Sequence, residues 1–238
     1  MNELVGRTAL ISGASRGIGL EIARALAGAG MHIAMLARSE SALHARALEI
    51  GALAVPIACD IANADAVQRA TERVTALFGG PPDAIVNNAG QFRLATVELT
   101  DPRDFQAALE VNLVAPFLLV HTFLAMMRRR RSGHVVTIGS IADRAAFPEN
   151  GAYAASKFGL RGFHEVLRAE LRGSGIRATL VSPGPVDTTL WDEIDPATRP
   201  GFTPPLQMLP ATAVATAVLY ALNQPAGVNV DELRLSHS

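Results

Sequence analysis

Residues 7–19 of the chain read RTALISGASRGIG. The first six have the length of a buried strand and contain the apolar run at 9–11. Three glycines follow, Gly13, Gly17 and Gly19, and a helical pattern begins among them. Glycine permits tight turns and lets an anionic group approach the backbone N–H groups at the positive end of a helix. The spacing is not G-x-G-x-x-G, so it is the position between strand and helix that predicts a phosphate-binding loop.

Short apolar runs alternate with amphipathic stretches along the rest of the chain. Most runs are continuous, which is typical of parallel strands buried on both faces. Strands are predicted near 7–12, 32–37, 53–58, 84–87, 134–140, 176–182 and 227–233. Helices are predicted near 18–29, 39–50, 63–78, 102–131, 152–172 and 212–222. This alternation predicts one α/β domain over residues 1–238, with a doubly wound, Rossmann-like parallel sheet of about seven strands and helices on both faces.

The composition excludes several classes of protein. Of the 238 residues 49% are hydrophobic and 18% charged, which supplies a large core and excludes disordered and fibrous chains. A formal net charge of -1 argues against chain-wide binding to nucleic acid or a membrane surface. The single cysteine cannot form an internal disulfide, the first residues lack a signal-peptide core, and no uninterrupted apolar run reaches about 18 residues. We therefore expect a cytoplasmic protein with no membrane or nucleic-acid partner.

Lysine is almost absent from the chain. Of the 21 basic residues only Lys157 is lysine, and all the others are arginine. Positions of this chain that need only a positive charge carry arginine. The single lysine therefore indicates that position 157 needs a compact ammonium group with an adjustable pKa. Tyr153 lies four residues earlier on a predicted helix, which places both side chains on one face. Ser140 closes the preceding predicted strand, so these three residues are candidates for a catalytic group.

These residues belong to a longer series whose order and spacing are specific. The series is the glycine loop 12–19, Asp60, the NNAG segment 87–90, Asn112, Ser140, Tyr153, Lys157 and the PGPVDT segment 183–188. With it, nearly the whole sequence resembles the short-chain dehydrogenase/reductase family, and the pattern is closest to 3-oxoacyl-acyl-carrier-protein reductase-like members. One departure is Ser12, where the family usually has threonine; the hydroxyl is retained.

The resemblance implies an oxidoreductase that interconverts a carbonyl and a secondary alcohol (a CH–OH donor) by hydride transfer. It implies four catalytic residues. Tyr153 would act as the acid in reduction and the base in oxidation, with Ser140 hydrogen-bonded to the substrate oxygen. Lys157 would hold the cofactor ribose and favour the tyrosinate, whose conjugate acid has an ordinary pKa near 10. Asn112 would keep a water on a proton path to Lys157; an ordinary helix-bending asparagine is the alternative.

The second predicted strand indicates which nicotinamide cofactor is used. Proteins that prefer NAD usually end this strand with an acid, whereas here Arg38 follows it. Arg38 and Arg16 suit a 2′-phosphate, so we predict NADP (NADPH); two arginines on a solvated rim are the alternative. The predicted cofactor contacts are Gly13, Ser15, Arg16, Gly17, Ile18, Gly19, Arg38, Asp60, Ile61, Asn88, Gly90, Tyr153, Lys157, Val186 and Thr188. No metal is predicted, because the six histidines show no ligand spacing with the cysteine.

A proline-rich loop leaves the carboxyl end of the sixth predicted strand, where open α/β sheets bind ligands. Residues 186–210 are therefore predicted to be a substrate lid, with a surface excursion of no function as the alternative. The substrate is expected to be a small-molecule or carrier-linked carbonyl. Fatty acyl, steroid, sugar-derived and polyketide carbonyls all stay open.

Partners and alternative functions follow from weaker signals. Arg128–Arg131 end a predicted helix, where cations meet the dipole favourably; the other interpretation is a docking patch for an acidic carrier. The resemblance implies a homodimer or homotetramer through helices 102–131 and 152–172, but the Asp-Gly-Gly ending of many tetrameric members is missing. A second function class is a cofactor-binding regulatory protein with the same fold and no turnover. A third uses Lys157 as a Schiff-base nucleophile or as the base of a hydrolase.

Overall fold

The computed structural model describes residues 4–192, 194–199 and 201–238. The strands in this part of the chain are β1 (Thr8–Ser12), β2 (His32–Ala37), β3 (Ala54–Ala58), β4 (Ala84–Asn87), β5 (Gly133–Ile138), β6 (Ile176–Pro183), β7 (Val186–Asp187), β8 (Leu209–Pro210) and β9 (Glu232–Leu235). Seven of them form one sheet in the order β3-β2-β1-β4-β5-β6-β9, with every pair parallel. The strand order reverses between β1 and β4, which is where open α/β sheets bind ligands.

Helices cover both faces of the sheet. They are α1 (Gly17–Gly28), α2 (Glu40–Ile50), α3 (Ala64–Phe78), α4 (Pro102–Leu109), α5 (Ala115–Arg130), α6 (Gly151–Glu170) and α7 (Ala211–Leu222). Apolar side chains of α1, α2 and α7 form one core with the sheet, and those of α3, α5 and α6 form another on the opposite face. The predicted doubly wound fold is therefore confirmed.

Side-chain caps explain where several helices begin. Ser39 accepts a hydrogen bond from the Ala42 N–H group before α2, and Asn63 accepts one from the Ala66 N–H group before α3. Such caps satisfy backbone donors that have no partner inside the helix. At the other end of α3, Gly79 adopts a left-handed conformation (φ 70°), which glycine tolerates without a steric penalty.

The last strand begins later than predicted. The sequence predicts a strand at 227–233, whereas β9 spans Glu232–Leu235. The reason is Asn229, whose side chain accepts from the Ala178 N–H group (2.9 Å) and donates to the Ala178 carbonyl (3.0 Å). The Asn229 amide thus bonds the backbone N–H and carbonyl groups of Ala178 in β6, where backbone pairing was predicted. The pairing of β9 with β6 therefore begins at Glu232, three residues after Asn229.

The predicted helix 102–131 is not a regular α-helix throughout. A π-helical segment, Glu110–Val114, separates α4 from α5. Pro116 lies in the first turn of α5 and has no N–H group, so it cannot donate to the carbonyl of Asn112 four residues earlier. Segments of this kind inside α-helices occur frequently at functional sites. The bulge places Asn112 in the interior, fully buried.

This helical stretch, Pro102–Arg130, is long and apolar enough to cross a membrane by length and composition, with a mean hydropathy of 1.7 over its most apolar window. In the structure 33% of that window is buried, and Phe105, Val114 and Phe117 are exposed. Leu119, Phe123 and Met127 of α5 belong to the buried core shared with α3 and α6. The stretch therefore packs on the sheet along one face and leaves other apolar side chains exposed.

Two histidines are buried between the sheet and α6. His134 Nε2 lies 2.8 Å from Thr179 Oγ1, and His164 Nδ1 lies 2.9 Å from Thr137 Oγ1. The second nitrogen of each ring has no partner among the described residues. Burial lowers the pKa of His134 to about 3, with Arg177 and His164 adding to the effect, and burial lowers the pKa of His164 to about 4. Both imidazoles are therefore neutral in the folded protein near pH 7.

These pKa values predict acid sensitivity. The folded values lie below the unfolded value of about 6.5, so the unfolded chain binds more protons below that pH. The free energy of unfolding should fall by about 2 kcal/mol per histidine between pH 7 and pH 5. His164→Gln should flatten this dependence in thermal unfolding followed by circular dichroism, whereas His32→Gln at an exposed position should keep it. An unchanged slope in His164→Gln would contradict the assignment.

Candidate active site

A cavity of about 1020 Å³ opens at the carboxyl ends of the strands. Its walls come from the glycine loop after β1, the ends of β2 to β5, the first turns of α6 and the segment that follows β6. Cavities that bind small molecules usually have volumes of about 300–1,000 Å³, so this one accommodates an extended ligand such as a dinucleotide.

The glycine loop is shaped by backbone conformations and close contacts. Gly13 and Gly17 have positive φ angles, 68° and 54°, in the left-handed region that favours glycine. A Cβ atom on Gly19 would lie 2.3 Å from the Gly13 carbonyl oxygen and 2.4 Å from Asn88 Nδ2. Arg16 precedes α1 without a side-chain cap, which leaves the first N–H groups of that helix without a side-chain acceptor. Such a terminus attracts anions.

Hydrogen bonds fasten the loop to the end of β4. Ser12 Oγ accepts from the N–H groups of Asn88 and Ala89, both at 3.0 Å. Asn88 Nδ2 donates to the carbonyls of Ser12 (2.9 Å) and Gly13 (3.3 Å). The serine hydroxyl therefore bridges the two strands at the point where the sheet order reverses. Asn88 braces the glycine loop and also lines the cavity.

Two exposed arginines, Arg16 and Arg38, lie on the rim of the cavity. Arg16 Nη1 donates to Thr189 Oγ1 at 3.2 Å, which links the glycine loop to the segment after β6. Arg46 on α2 lines the same rim and pairs with Glu49 at 2.5 Å. Sequence reasoning missed Arg46, since nothing in its local pattern distinguishes it from the many other arginines. Arg46 therefore adds a third arginine to the rim, and Glu49 balances its charge.

The three residues Ser140, Tyr153 and Lys157 meet on one side of the cavity. Lys157 is 4% exposed, and its Nζ donates to the carbonyl of Ile138 at 2.9 Å. The same Nζ lies 5.6 Å from the centre of the Tyr153 ring. Ser140 caps a short 3₁₀ turn, with its Oγ accepting from the Ala142 N–H group at 3.1 Å. The end of β5 and the start of α6 thus bring together groups distant in sequence.

The environment moves the proton affinities of this cluster in opposite directions. Burial raises the pKa of the Tyr153 phenol; a hydrogen bond with Ser140 opposes that change, and the Asp143 carboxylate adds to it. Burial lowers the pKa of Lys157 to about 8, and Asp143 opposes that change. Burial disfavours the charged form of both groups, so it raises the pKa of the tyrosine and lowers that of the lysine, and the two pKa values move apart. Near pH 7 Tyr153 therefore keeps its proton, and the Lys157 ammonium loses its proton at a lower pH than an ordinary lysine does.

Asn112 lies behind the cavity rather than in its wall. Its Oδ1 accepts from the Gln91 N–H group at 2.8 Å, and its Nδ2 donates to the Gln91 carbonyl (3.0 Å) and to Ser156 Oγ (2.9 Å). Ser156 in turn donates to the Tyr153 carbonyl at 2.7 Å. The Asn112 side chain is therefore fully engaged in joining the loop after β4 to α6.

The structure brings together almost all the residues predicted to contact the cofactor. Fourteen of the fifteen line the cavity, namely Gly13, Ser15, Arg16, Gly17, Ile18, Arg38, Asp60, Ile61, Asn88, Gly90, Tyr153, Lys157, Val186 and Thr188. Gly19 does not line it; its contribution is the close approach of α1 to the glycine loop. Within the described part of the chain, no group of three or more His, Cys, Asp or Glu residues is arranged to hold a metal ion.

The segment predicted as a lid covers one side of the cavity. β7 and β8 pair at its base, and Trp191 Nε1 donates to the Val186 carbonyl at 2.9 Å. Phe92 packs edge-on between Tyr153 (ring centres 4.8 Å apart) and Trp191 (5.3 Å). Sequence reasoning missed Phe92, which follows β4 by five residues and carries no motif. Residues 193 and 200 of the predicted lid lie outside the described residues.

The arginine run Arg128–Arg131 is remote from the cavity within this chain. It ends α5 just before β5 begins, at the opposite edge of the sheet from the carboxyl ends. Arg128 donates to the Glu170 carbonyl at 3.2 Å, and Arg130 donates to the carbonyls of Pro81 and Pro82, both at 2.9 Å. These contacts favour the structural interpretation of Arg128 and Arg130.

Comparisons with known proteins bear on the family of the chain. A family described as "short chain dehydrogenase" matches residues 7–199. A short chain dehydrogenase of Pseudocercospora fijiensis is 38% identical over 194 residues, 79% of this chain and 62% of that longer protein. A sepiapterin reductase of Chlorobaculum tepidum is 34% identical over 236 residues, 95% of this chain and 94% of that one. The crystal structure of a metagenomic short-chain oxidoreductase in complex with NADP has a TM-score of 0.84 at 31% identity and covers 99% of both chains.

The chain therefore belongs to the short-chain dehydrogenase/reductase family and has the fold of an oxidoreductase that uses a nicotinamide cofactor. The resemblance drawn from the sequence is confirmed at the level of the family. The roles of individual residues stay predictions.

The packing of the glycine loop gives a stability test. Gly19→Ala would force its Cβ into the Gly13 backbone and should destabilise the fold by about 1–3 kcal/mol, as overpacking does. Gly28→Ala is the matched control in the same helix, because a Cβ there meets nothing within 4 Å and alanine is the better helix former. Thermal unfolding should show a lower midpoint for Gly19→Ala only. Equal midpoints for the two variants would mean that the loop packs less closely than described.

Proposed function

We propose that this protein is an NADP-dependent oxidoreductase that interconverts a carbonyl and a secondary alcohol. The observation that carries the proposal is the meeting of Ser140, Tyr153 and the buried Lys157 in the cavity that the glycine loop borders. In the same proposal, residues 1–238 act as one domain, and residues 186–210 act as a lid over the substrate.

The cavity fits a nicotinamide dinucleotide. The glycines let the loop close against α1, because a Cβ on Gly19 would collide with the Gly13 backbone and with Asn88, and the first turn of α1 has no side-chain cap. Its N–H groups would receive the diphosphate, and Arg16 and Arg38 on the rim would hold a 2′-phosphate. Asp60 and Asn88 would border the adenine side, and Val186 and Thr188 the nicotinamide side. When bound, this cofactor supplies or accepts the hydride.

Tyr153 is the proton donor in reduction in this proposal. Its raised pKa keeps the phenol protonated at neutral pH, as a general acid requires. Lys157 lies close enough to stabilise the tyrosinate that proton donation leaves behind, and its buried ammonium acts in a medium where charges are weakly screened. In the oxidative direction the same tyrosinate takes the proton back.

Ser140 and Asn112 support that transfer. The Ser140 hydroxyl, beside Tyr153, would hydrogen-bond the substrate oxygen and stabilise the charge that develops there. The Asn112 side chain is already satisfied, so its backbone carbonyl, which Pro116 cannot bond, is the group proposed to hold a water on the path to Lys157.

The walls favour an apolar substrate. Phe92, Trp191 and Phe202 form a contiguous aromatic surface next to Tyr153. Aromatic rings bury large apolar areas and orient partners through edge contacts. A bulky or aromatic ketone fits this surface. A carrier-linked 3-oxoacyl chain is the second candidate from the sequence pattern, but the exposed Arg129 and Arg131 do not support it within one chain, because they lie at the opposite edge of the sheet from the cavity.

The proposal includes a homodimer or homotetramer. Phe117 on α5 and Phe158 on α6 are 45% and 46% exposed, which is unusual for large apolar side chains on two adjacent helices. A second copy of the chain would cover them.

Activity tests the mechanism directly. Tyr153→Phe removes the acid and keeps the ring, so NADPH consumption with a panel of ketones and 3-oxoacyl thioesters should fall about 10²–10⁴-fold. Binding of NADPH, followed by fluorescence, should be retained. Tyr220→Phe, at an exposed position, is the matched control and should keep full activity. Full activity in Tyr153→Phe would overturn the assigned mechanism, and tight NADPH binding without turnover across the panel would favour the regulatory protein.

Cofactor preference tests the rim. Arg38→Ala should raise the KM for NADPH about 10–100-fold, the value of a charged hydrogen bond or two, and leave the KM for NADH nearly unchanged. Arg73→Ala, an exposed arginine on α3 away from the cavity, is the control and should change neither. A wild-type protein that strongly prefers NADH would contradict the role given to Arg16 and Arg38.

A further inference from the structure

Asp143 is a buried carboxylate that no proposed step uses. Its side chain is fully inaccessible to solvent, and it follows Ser140 by three residues. The Ser140 N–H group donates to Asp143 Oδ2 at 3.3 Å, which completes a capping box around the short turn Ile141–Asp143. Ser182, at the end of β6, donates to the same oxygen at 2.5 Å. The carboxylate therefore connects the turn that carries Ser140 to the neighbouring strand.

The same carboxylate packs against the backbone that binds the lysine. A Cβ on Gly139 would lie 2.6 Å from Asp143 Oδ2 and 2.7 Å from Ser182 Oγ. Gly139 directly follows Ile138, whose carbonyl accepts the hydrogen bond from Lys157 Nζ. The glycine is needed because the carboxylate occupies the space of a side chain. Asp143 therefore packs against Gly139, the residue next to the one whose carbonyl binds Lys157.

The charges that face Asp143 come from three elements. Arg144 Nε donates to Asp143 Oδ1 at 2.7 Å, and Nη1 of Arg161 on α6 lies 4.0 Å from the same oxygen. Arg144 also pairs with Glu232 on β9. Lys157 and Tyr153 lie on the side of the active site. Glu232 joins this network through Arg144, and of the two carboxylates only Asp143 acts electrostatically on Lys157.

We propose that Asp143 is a positioning residue for the reaction, whose buried negative charge keeps the Lys157 ammonium protonated while its oxygen holds the turn that presents Ser140. The effect of Asp143 on the reaction rests on the proposed function, whereas its effect on the protonation of Lys157 does not. A buried ammonium without a nearby anion tends to lose its proton, because burial disfavours the charged form. Asp143 offsets that tendency from within the same packed unit.

The direction of the effect follows from the charges. The Asp143 carboxylate raises the pKa of Lys157 and that of Tyr153, so its removal should lower both. Tyr153 must be protonated to act as the acid in reduction. The alkaline limb of kcat/KM should therefore move to lower pH when the charge is removed. The two groups titrate as a coupled pair, and the limb reports the pair.

The composition of the chain permits a direct measurement. Lys157 is the only lysine and there are two tyrosines, so selective ¹³C labelling gives one lysine Cε signal and two tyrosine Cζ signals. In Asp143→Asn, a near-isosteric change, the lysine titration should move to lower pH by about 1 unit. The alkaline limb of kcat/KM should move in the same direction, and the signal of Tyr220 should stay in place as an internal reference.

Glu232→Gln is the matched control, because it removes a carboxylate from the same network on the far side of Arg144. It should leave the Lys157 titration where it is in the wild type. Arg144→Gln removes a cation that offsets Asp143 and should move the titration to higher pH, so it tests the inference even if Asp143→Asn fails to fold. An unchanged titration in folded Asp143→Asn, or in Arg144→Gln, would overturn the inference. A shifted titration in a protein that reduces no carbonyl would retain it and reject the proposed function instead.

Discussion

The buried ammonium of Lys157 is the constraint on which the arrangement around the site depends. A charged group with 4% exposure needs partners in the interior, and here they are the Ile138 carbonyl at 2.9 Å and the charge of Asp143. The first joins the end of β5 to α6. The second requires a glycine at 139 and a hydroxyl at Ser182. The catalytic candidates are thus held by the same contacts that make the buried charge tolerable.

A second set of contacts holds the cofactor side of the cavity. Ser12 bridges β1 and β4, and Asn88 braces the glycine loop that Gly19 allows to close. Both sets lie at the carboxyl ends of adjacent parallel strands, so a single sheet edge positions the two halves of the site. Little depends on the longer loops for this geometry. The segment after β6 adds an aromatic wall and a link from Thr189 to Arg16.

Most of the architecture could be predicted because its causes are local. Continuous apolar runs mark strands buried on both faces, and Ser39, Asn63 and Gly79 mark helix ends through bonds and conformations within a few residues. The errors arose at two single residues, Asn229 and Pro116. Asn229 replaces strand pairing by binding Ala178, about fifty residues away in sequence, and Pro116 shifts the helix register at Asn112. Neither effect is visible in apolar periodicity.

The sequence by itself determined the order of strands and helices, the family, and the identity of Tyr153, Lys157 and Ser140 as candidates, because each rests on residue type and short spacing. The S-x-x-D spacing of Ser140 and Asp143 was also present and signals a capping box, but spacing alone says nothing of burial. Only the tertiary structure decided that Asp143 is enclosed beside Lys157, that the Asn112 amide is fully bonded, and that Phe92 and Arg46 line the cavity. Burial and proximity between segments arise when β4, β5, β6 and α6 pack together, and no stretch of the chain encodes them separately.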